Sequence, residues 1–381
     1  MQTLNSVPRE AFTADQVAAM LVAPDLTVDF GAELLDLDLS LVEDITVDLS
    51  GGTVRRSNYA NVHGSVSLSL SRKLAWGRDR IRPYQVLGSP SAGVEACRFN
   101  RGVYVLTTPQ RLIDDSGVIT YAVSGFDLLS LLQQPVGDTY VVTGGYTYLQ
   151  AVADALTASQ VIGPLLLDGT LITTTLPDDM VWVLTDGTPE SWLGIINQLL
   201  NAINYRGLWV DADGNFRSEP YQEPGSRAPE WTFDVTDKKT NIVGQNRLET
   251  ADVWSAPNWW RFVRKGMTTT PVEGDGIYTY TNQATGASSV ASVGRLVRAG
   301  TVFLEAADQA SLVAQGNRTI AADQGQTRLI ELSTGPFPIA AHFDMATLID
   351  PKLGAPMKVQ ARSWEQDLAG ADVTWIWEVV G

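Results

Sequence analysis

The sequence predicts a mainly β chain with an α/β insertion, an α+β arrangement in which two β-rich regions flank an α/β domain. Three observations carry this expectation. Strand patterning dominates from Val28 to about Val123, helical periodicity is concentrated between residues 136 and 230, and strand patterning returns from Trp231 onward. At 381 residues and 44% hydrophobic side chains, the chain has room for two or three domains and for substantial cores.

Residues 1 to 27 hold one helix signal, in which Thr13 caps, Gln16 completes a capping box, and Val17, Met20 and Leu21 follow at helical spacing. This stretch reads as a short N-terminal arm. Within residues 28 to 135, Val66-Ser67-Leu68-Ser69-Leu70-Ser71 alternates apolar and small polar side chains, which puts Val66, Leu68 and Leu70 on one buried face. Gly102 to Thr108 and Ile119 to Val123 read as strands joined by a hairpin turn at Asp114-Asp115-Ser116-Gly117. The region is expected to form a small barrel or sandwich. A short apolar helix around Leu128, Leu129, Leu131 and Leu132, stopped by Pro135, leads out of it.

Residues 136 to 230 change character. Tyr148 to Leu156 has helical spacing, and a second helix is predicted with Thr188 as cap, Pro189 at the first position and Trp192, Ile195, Ile196, Leu199 and Leu200 along one stripe. Gly207 to Arg217 reads as strand, turn, strand, and the Pro- and Gly-containing run Glu219 to Glu230 as a linker outward. Residues 231 to 381 return to β, with Asn258 to Val263 as a strand and Ala306 to Ala322 as a helix. Leu353-Gly354-Ala355-Pro356 echoes Leu87-Gly88-Ser89-Pro90, and Val373-Thr374-Trp375 echoes Ile119-Thr120-Tyr121. A duplicated barrel and a chance convergence of turn and strand composition both fit these echoes.

Catalytic and metal chemistry find little support. The chain has one cysteine, Cys97, and two histidines, His63 and His342, in different predicted domains, so neither a thiolate zinc site nor an HExxH pair is available. No GxSxG elbow occurs. Asp211, Asp213 and Asn215 resemble a calcium loop only superficially, because the glycine and the later glutamate fall at the wrong positions; a hairpin built on Asp213-Gly214 is the better reading. Asp114-Asp115, Asp178-Asp179 and Asp36 with Asp38 raise glycoside hydrolysis, but adjacency in sequence provides no sugar-sized cleft. Trp254, Trp259, Trp260, Trp364, Trp375 and Trp377 fit either sugar-stacking platforms or cores and subunit contacts, and the second reading is preferred.

The net charge of -16, from 43 acidic against 27 basic residues, opposes tight phosphate binding. With Cys97 alone, no intrachain disulfide forms, and assembly in a reducing cytoplasm is expected. The first residues carry no secretion signal and no stretch of about 18 apolar residues occurs, so passage outside the cell is expected only within a released particle.

The segments Trp76-Gly77-Arg78-Asp79-Arg80-Ile81-Arg82-Pro83-Tyr84 and Phe99-Asn100-Arg101-Gly102-Val103-Tyr104-Val105-Leu106-Thr107-Thr108-Pro109 carry a resemblance. So do Leu208-Trp209-Val210-Asp211 to Tyr221, Pro257-Asn258-Trp259-Trp260-Arg261-Phe262 and the Trp375 strand. As a set they resemble tail hub proteins, or minor tail proteins, of long-tailed phages that infect high-GC Gram-positive bacteria. The resemblance implies a non-enzymatic homotrimer at the tail tip, without cofactors, in which two β-barrels per subunit build a pseudo-sixfold ring. Such a ring meets the distal tail protein or tail tube protein above and other tail-tip or receptor-binding proteins below. Its lumen passes the tape measure protein, and DNA crosses it without specific binding. Arg78, Arg80, Arg82, Trp259 and Trp260 are the candidate subunit-interface residues, the arginines because period-two spacing in an extended segment points them to one side. The final strand sits directly before Gly381, so wall cleavage and adsorption are expected to belong to other proteins. Two other readings stand against this one: a carbohydrate-binding or cell-wall-hydrolysing tail-tip protein, and a hexameric distal tail protein.

Overall fold

A computed structural model describes residues 1–2, 12–168, 173–183, 190–237, 243–265, 269–325, 328–370 and 372–380. Helix α1 (Ala14–Leu21) begins with the predicted capping box, in which the Thr13 side chain accepts from the Gln16 N–H and the Gln16 side chain accepts from the Thr13 N–H. It buries Val17, Met20 and Leu21 against its own chain. Eight strands follow: β1 (Thr27–Leu35), β2 (Leu41–Asp44), β3 (Leu49–Ser57), β4 (Gly64–Leu70), β5 (Arg80–Ser89), β6 (Val94–Asn100), β7 (Tyr104–Ile113) and β8 (Ile119–Asp127). Strand β4 alternates as its sequence requires, with Val66, Leu68 and Leu70 buried and the serines between them more exposed. The β7–β8 hairpin turns on Asp114, whose Oδ1 accepts from the N–H groups of Ser116 and Val118, while Gly117 supplies a φ of 80°. Asp127 then accepts from Gly64 N and Leu129 N, fastening the start of β4 to helix α2 (Leu129–Leu132).

The α/β region contains β9 (Tyr140–Val142), α3 (Tyr148–Ala158), β10 (Leu165–Leu167), β11 (Met180–Trp182), α4 (Trp192–Ala202), β12 (Trp209–Val210) and β13 (Phe216–Ser218). Helices α3 and α4 pack through Val152, Ala155, Ile195, Ile196, Leu199 and their neighbours, over the short sheets β9·β11 and β10·β13·β12. Ser191 caps α4 by accepting from Gly194 N; the expected cap Thr188 and Pro189 lie outside the described residues. Between β12 and β13, Asp211 accepts from Asp213 N and Asn215 N and pairs with Arg217 at 2.6 Å. Its oxygens serve a hairpin, as the residue spacing indicated.

The last region holds β14 (Trp231–Asp234), β15 (Val243–Ala251), β16 (Trp259–Arg264), β17 (Val272–Glu273), β18 (Gly276–Thr281), α5 (Val290–Val293), β19 (Arg298–Leu304), α6 (Gln309–Gly325), β20 (Arg328–Thr334), β21 (Met345–Ile349), β22 (Met357–Asp367) and β23 (Val373–Val379). Strands β17, β18, β16 and β19 make a sheet of their own, inserted between β15 and β20 and covered by α6 through Trp260, Phe262, Leu312 and Ile320. No helix among the described residues is long and apolar enough to cross a membrane.

The two β-rich regions are not separate closed barrels. They join into one 14-stranded sheet whose main path runs β15-β20-β23-β22-β3-β4-β8-β7-β5-β1-β2. The physical reason is an edge match: residues Ser363–Asp367 of β22 pair antiparallel with Thr53–Ser57 of β3, so neither region curls back on itself. The path also repeats. The order β3-β4-β8-β7-β5-β1 in the first region is matched by β15-β20-β23-β22-β21-β14 in the last, strand for strand in chain order. The one change of sense is β21·β14, which is parallel where β5·β1 is antiparallel. The echo of Ile119–Tyr121 in Val373–Trp375 falls on the matched strands β8 and β23.

A single apolar core runs under both halves, from Val66, Leu68 and Phe99 to Phe233, Phe337, Trp375 and Trp377. Trp375 and Trp377 lie on one face of β23, stacked with ring centroids 4.7 Å apart. Trp377→Ala is therefore expected to lower stability by about 3–5 kcal/mol. Trp254→Ala, at a position 76% exposed, is expected to change it by less than about 0.5 kcal/mol. Urea unfolding midpoints of the two variants check the contrast.

Candidate functional site

The three regions of the chain meet around a cavity of about 460 Å3 lined by Arg56, Arg101, Trp209, Arg217, His342 and Trp364 among others. Arg56, on β3, is buried and its Nη2 donates to the Val210 carbonyl at 2.9 Å. Arg101, just after β6, donates to the Pro338 carbonyl and lies 4.7 Å from the centre of the Trp364 ring. Each arginine thus ties the first β region to another part of the molecule. Burial draws the Arg101 guanidinium down to about 10, which leaves it charged at neutral pH.

The two histidines, far apart in sequence, come together here with ring centroids 4.6 Å apart. His342 also stacks on Trp209 at 5.0 Å and meets Phe343 edge-on. Burial, reinforced by the Arg56 charge, pushes His63 down to about 3, and burial holds His342 well below the usual histidine range. Among the described residues no group of three His, Cys, Asp or Glu gathers as a ligand set around the two rings. Composition carried no signal of this contact, because it depends on the docking of residues from two regions.

A second cluster clamps the α/β region to the last β region. Arg206 sits 4.3 Å from the Phe343 ring centre, Arg318 Nη1 on α6 donates to the Tyr205 carbonyl at 2.7 Å, and Tyr59 Oη donates to Glu378 Oε1 at 2.5 Å. Burial pushes the Glu378 carboxyl up to about 7, against the opposing pull of the Tyr59 hydrogen bond and the Arg362 and Arg206 charges. These contacts hold three regions in one arrangement; they present no nucleophile beside a base.

The residues expected at a subunit contact are dispersed. Arg78 is exposed and lies 3.4 Å from Asp36. Arg80 folds back over the preceding turn, donates to the Gly77 and Arg78 carbonyls and is buried at 8% exposure. Arg82 pairs with Glu33 at 2.7 Å, and Arg98 reaches the same carboxylate at 2.6 Å. Burial opposes ionisation of Glu33, but the hydrogen bonds from these two arginines outweigh it and hold the carboxyl below its ordinary value. Trp259 is half-buried, whereas Trp260 is wholly buried and its Nε1 donates to Asp323. The arginines therefore do not project as one row: Arg80 starts β5 with its side chain turned back, and Arg82 is neutralised within its own sheet. Trp260 likewise belongs to the core of the inserted sheet. Of the six tryptophans weighed as a sugar platform, Trp260, Trp364, Trp375 and Trp377 are buried, whereas Trp254 is 76% exposed and Trp259 half-buried.

Exposed apolar side chains are spread over the surface, and some stand on strands β7 and β15 and the β7–β8 turn. Leu112, Ile113 and Val118 at the tip of the β7–β8 hairpin are 55–59% exposed, and Leu248 on β15 is 59% exposed.

The histidine pair predicts an acid-sensitive fold. His63 is neutral when folded but takes up a proton near its ordinary value of 6.5 when unfolded, so its contribution is complete above about pH 6.5 and is lost as pH falls toward 3. Glu378 and Asp127, pushed up to about 7 and about 6 mainly by burial, act in the opposite sense, and only a comparison isolates the histidine. Between pH 7 and pH 5 the wild-type chain is expected to lose about 1–2 kcal/mol more stability than His63→Asn, allowing for partial exposure of the ring. Urea titrations at both pH values measure the difference.

No family model matches the chain, and no curated protein matches it in sequence. Solved structures do share the fold. A tail protein from Neisseria meningitidis MC58 superposes with a TM-score of 0.62 at 13% identity, over 92% of this chain and 96% of that one. The 43 kDa tail protein of prophage MuSo2 from Shewanella oneidensis gives 0.58 at 12% identity, over 93% and 98%. Prophage tail protein gp18 from Listeria monocytogenes EGD-e gives 0.54 at 12% identity, over 91% and 94%. These neighbours lend no support to the narrower expectation of a high-GC Gram-positive host. The fold of this chain, over nearly its whole length, is that of phage tail proteins.

Proposed function

We propose that the chain is a structural phage tail hub protein, forming a homotrimeric ring of pseudo-sixfold symmetry at the tail tip. The observation that carries this reading is the repeated strand path: one polypeptide holds two β modules of matching order, so three copies supply six similar units. A ring of that kind faces a sixfold tail tube or distal tail protein on one side and threefold tip proteins on the other, and closure satisfies every contact. The tape measure protein and DNA pass through its lumen, where a chain of net charge -16 repels phosphate. In this reading residues 28 to 135 and 231 to 381 supply the two hub modules, residues 136 to 230 brace them, and residues 1 to 27 are an arm. Assembly in the host cytoplasm precedes incorporation in the virion. Of the candidate interface residues, Arg78 and Trp259 remain available for contact with a neighbour.

Mass photometry or light scattering of the purified chain is expected to give a trimer. A hexamer instead indicates a distal tail ring. In pull-downs with cell-wall glycan no saturable binding is expected, and saturable binding overturns the proposal in favour of a carbohydrate-binding tip protein.

A further inference from the structure

Arg80 is buried, yet a second cavity reaches it. This pocket, of about 210 Å3, lies where the first β region meets the α/β region, and Arg80 forms part of its wall. The preceding turn holds the guanidinium in place, because Nη1 donates to the Gly77 carbonyl at 3.3 Å and to the Arg78 carbonyl at 2.5 Å. Nε and Nη2 have no partner among the described residues, and neither nitrogen is sealed from solvent. Arg78 is paired with Asp36 and Arg82 with Glu33, but no carboxylate of the described residues pairs with Arg80. Asp79 acts on it only through space, since its Oδ2 accepts from the Ala75 N–H at 2.8 Å. A buried guanidinium with two unspent donors and no ion-pair partner attracts an anion.

The remaining walls are mostly apolar. Leu37 comes from the β1–β2 loop, Leu131 from α2, Val161 and Ile162 from the turn after α3, and Trp192 from the start of α4. Trp192 is fixed by its N–H to the Gln134 carbonyl at 3.3 Å and by the Tyr140 ring, which meets it edge-on at 5.1 Å. The turn after α3 is fixed as well: Ser159 Oγ donates to the Leu156 carbonyl and accepts from Val161 N, and Gln160 is held at φ 59°. The walls thus stand in place without an occupant. Ile162 is 53% exposed, so the apolar lining continues to the mouth. The exposed amides of Gln134 and Gln160 also line the pocket, and their side chains make no hydrogen bond among the described residues.

We propose that this pocket binds an acidic peptide segment of a partner protein, holding a large apolar side chain against Trp192, Leu131 and Ile162 and an Asp or Glu carboxylate on Arg80. The two side chains stand two residues apart, since an extended backbone turns residues at that spacing to the same side. Each part of the pocket matches one part of this ligand. The guanidinium fork takes carboxylate oxygens, the indole and aliphatic walls take an apolar group, and the glutamine amides, each both donor and acceptor, take peptide groups. A fatty acid leaves those amides unused. The inference goes beyond the ring reading and does not depend on it, because the pocket is built within one chain and its test reads binding, not subunit number.

Methyl NMR tests it, since Leu37, Leu131, Val161 and Ile162 each place a methyl reporter in the wall. The probe is acetyl-Phe-Ala-Asp-amide, with acetyl-Phe-Ala-Asn-amide as its neutral counterpart. The acidic peptide is expected to shift those signals with a Kd of about 1 mM and to bind about tenfold more tightly than the neutral one. Arg80→Gln is expected to bring the two peptides to equal affinity. Arg80 also closes the preceding turn, so a second variant keeps the test independent of folding: Ile162→Glu sets a like charge at the exposed mouth. It is expected to weaken the acidic peptide by about tenfold, with the methyl signals outside the pocket unmoved. Unshifted wall signals at about 10 mM acidic peptide, or equal affinity of the native chain for both peptides, overturn the proposal. Tighter binding of acetyl-phenylalanine, a free terminal carboxylate, also overturns it and assigns the pocket to a chain end.

Discussion

Five residue pairs between β3 and β22 determine the plan of this molecule. They turn two β regions, separated in the chain by the whole α/β block, into one sheet with a shared core. Strand β22 achieves this by dividing one edge between two partners: its first residues pair with β21, and after the bulge at Arg362 its last residues pair with β3. A bulge bends a strand and increases its twist, which lets one strand leave a neighbour and meet another at a new angle. Glu365 falls opposite Arg55 in this joint, a charge order that favours this register over a shifted one.

Where sheets and helices diverge from this joint, arginine fills the gap. Arg56, Arg101 and Arg318 spend their donors on backbone carbonyls of other regions, and Arg206 lies against an aromatic ring. A planar guanidinium suits this task because it satisfies several acceptors at once and stacks on rings while remaining charged. The chain is acidic as a whole, yet its central contacts depend on buried cations. Surface charge and internal cohesion are therefore separate properties here, and net charge alone describes only the first.

Local signals in the sequence were reliable because each depended on few residues. The alternation in Val66–Leu70, the Thr13 capping box and the Asp114–Gly117 turn all need nothing beyond their own neighbours. The echo between Ile119–Tyr121 and Val373–Trp375 pointed to strands that do occupy matched places in the sheet. What could not be read was pairing between distant segments. The β3·β22 joint converts two expected barrels into one open sheet, and no local pattern distinguishes an edge that closes on itself from one that finds another region. The same limit applies to His63 and His342, whose contact exists only once both regions dock. For the arginines, the extended spacing begins only at Arg80, because Arg78 stands in the preceding turn, and that turn offers two carbonyls that draw the Arg80 side chain back.

The inserted sheet β16–β19 with α6 leaves the main sheet at Ala251 and returns at Arg328, and those two residues face each other in the ladder. Entry and exit are thus adjacent, so the whole excursion replaces what would otherwise be a hairpin loop. A change in its length bears first on its own contacts, among them Arg318 of α6 on the Tyr205 carbonyl, and less on the β15·β20 register at its base. The excursion thus has two anchors, the Ala251–Arg328 ladder pair at its base and Arg318 against the α/β region, and whatever it presents outward sits on a mount fixed at both points.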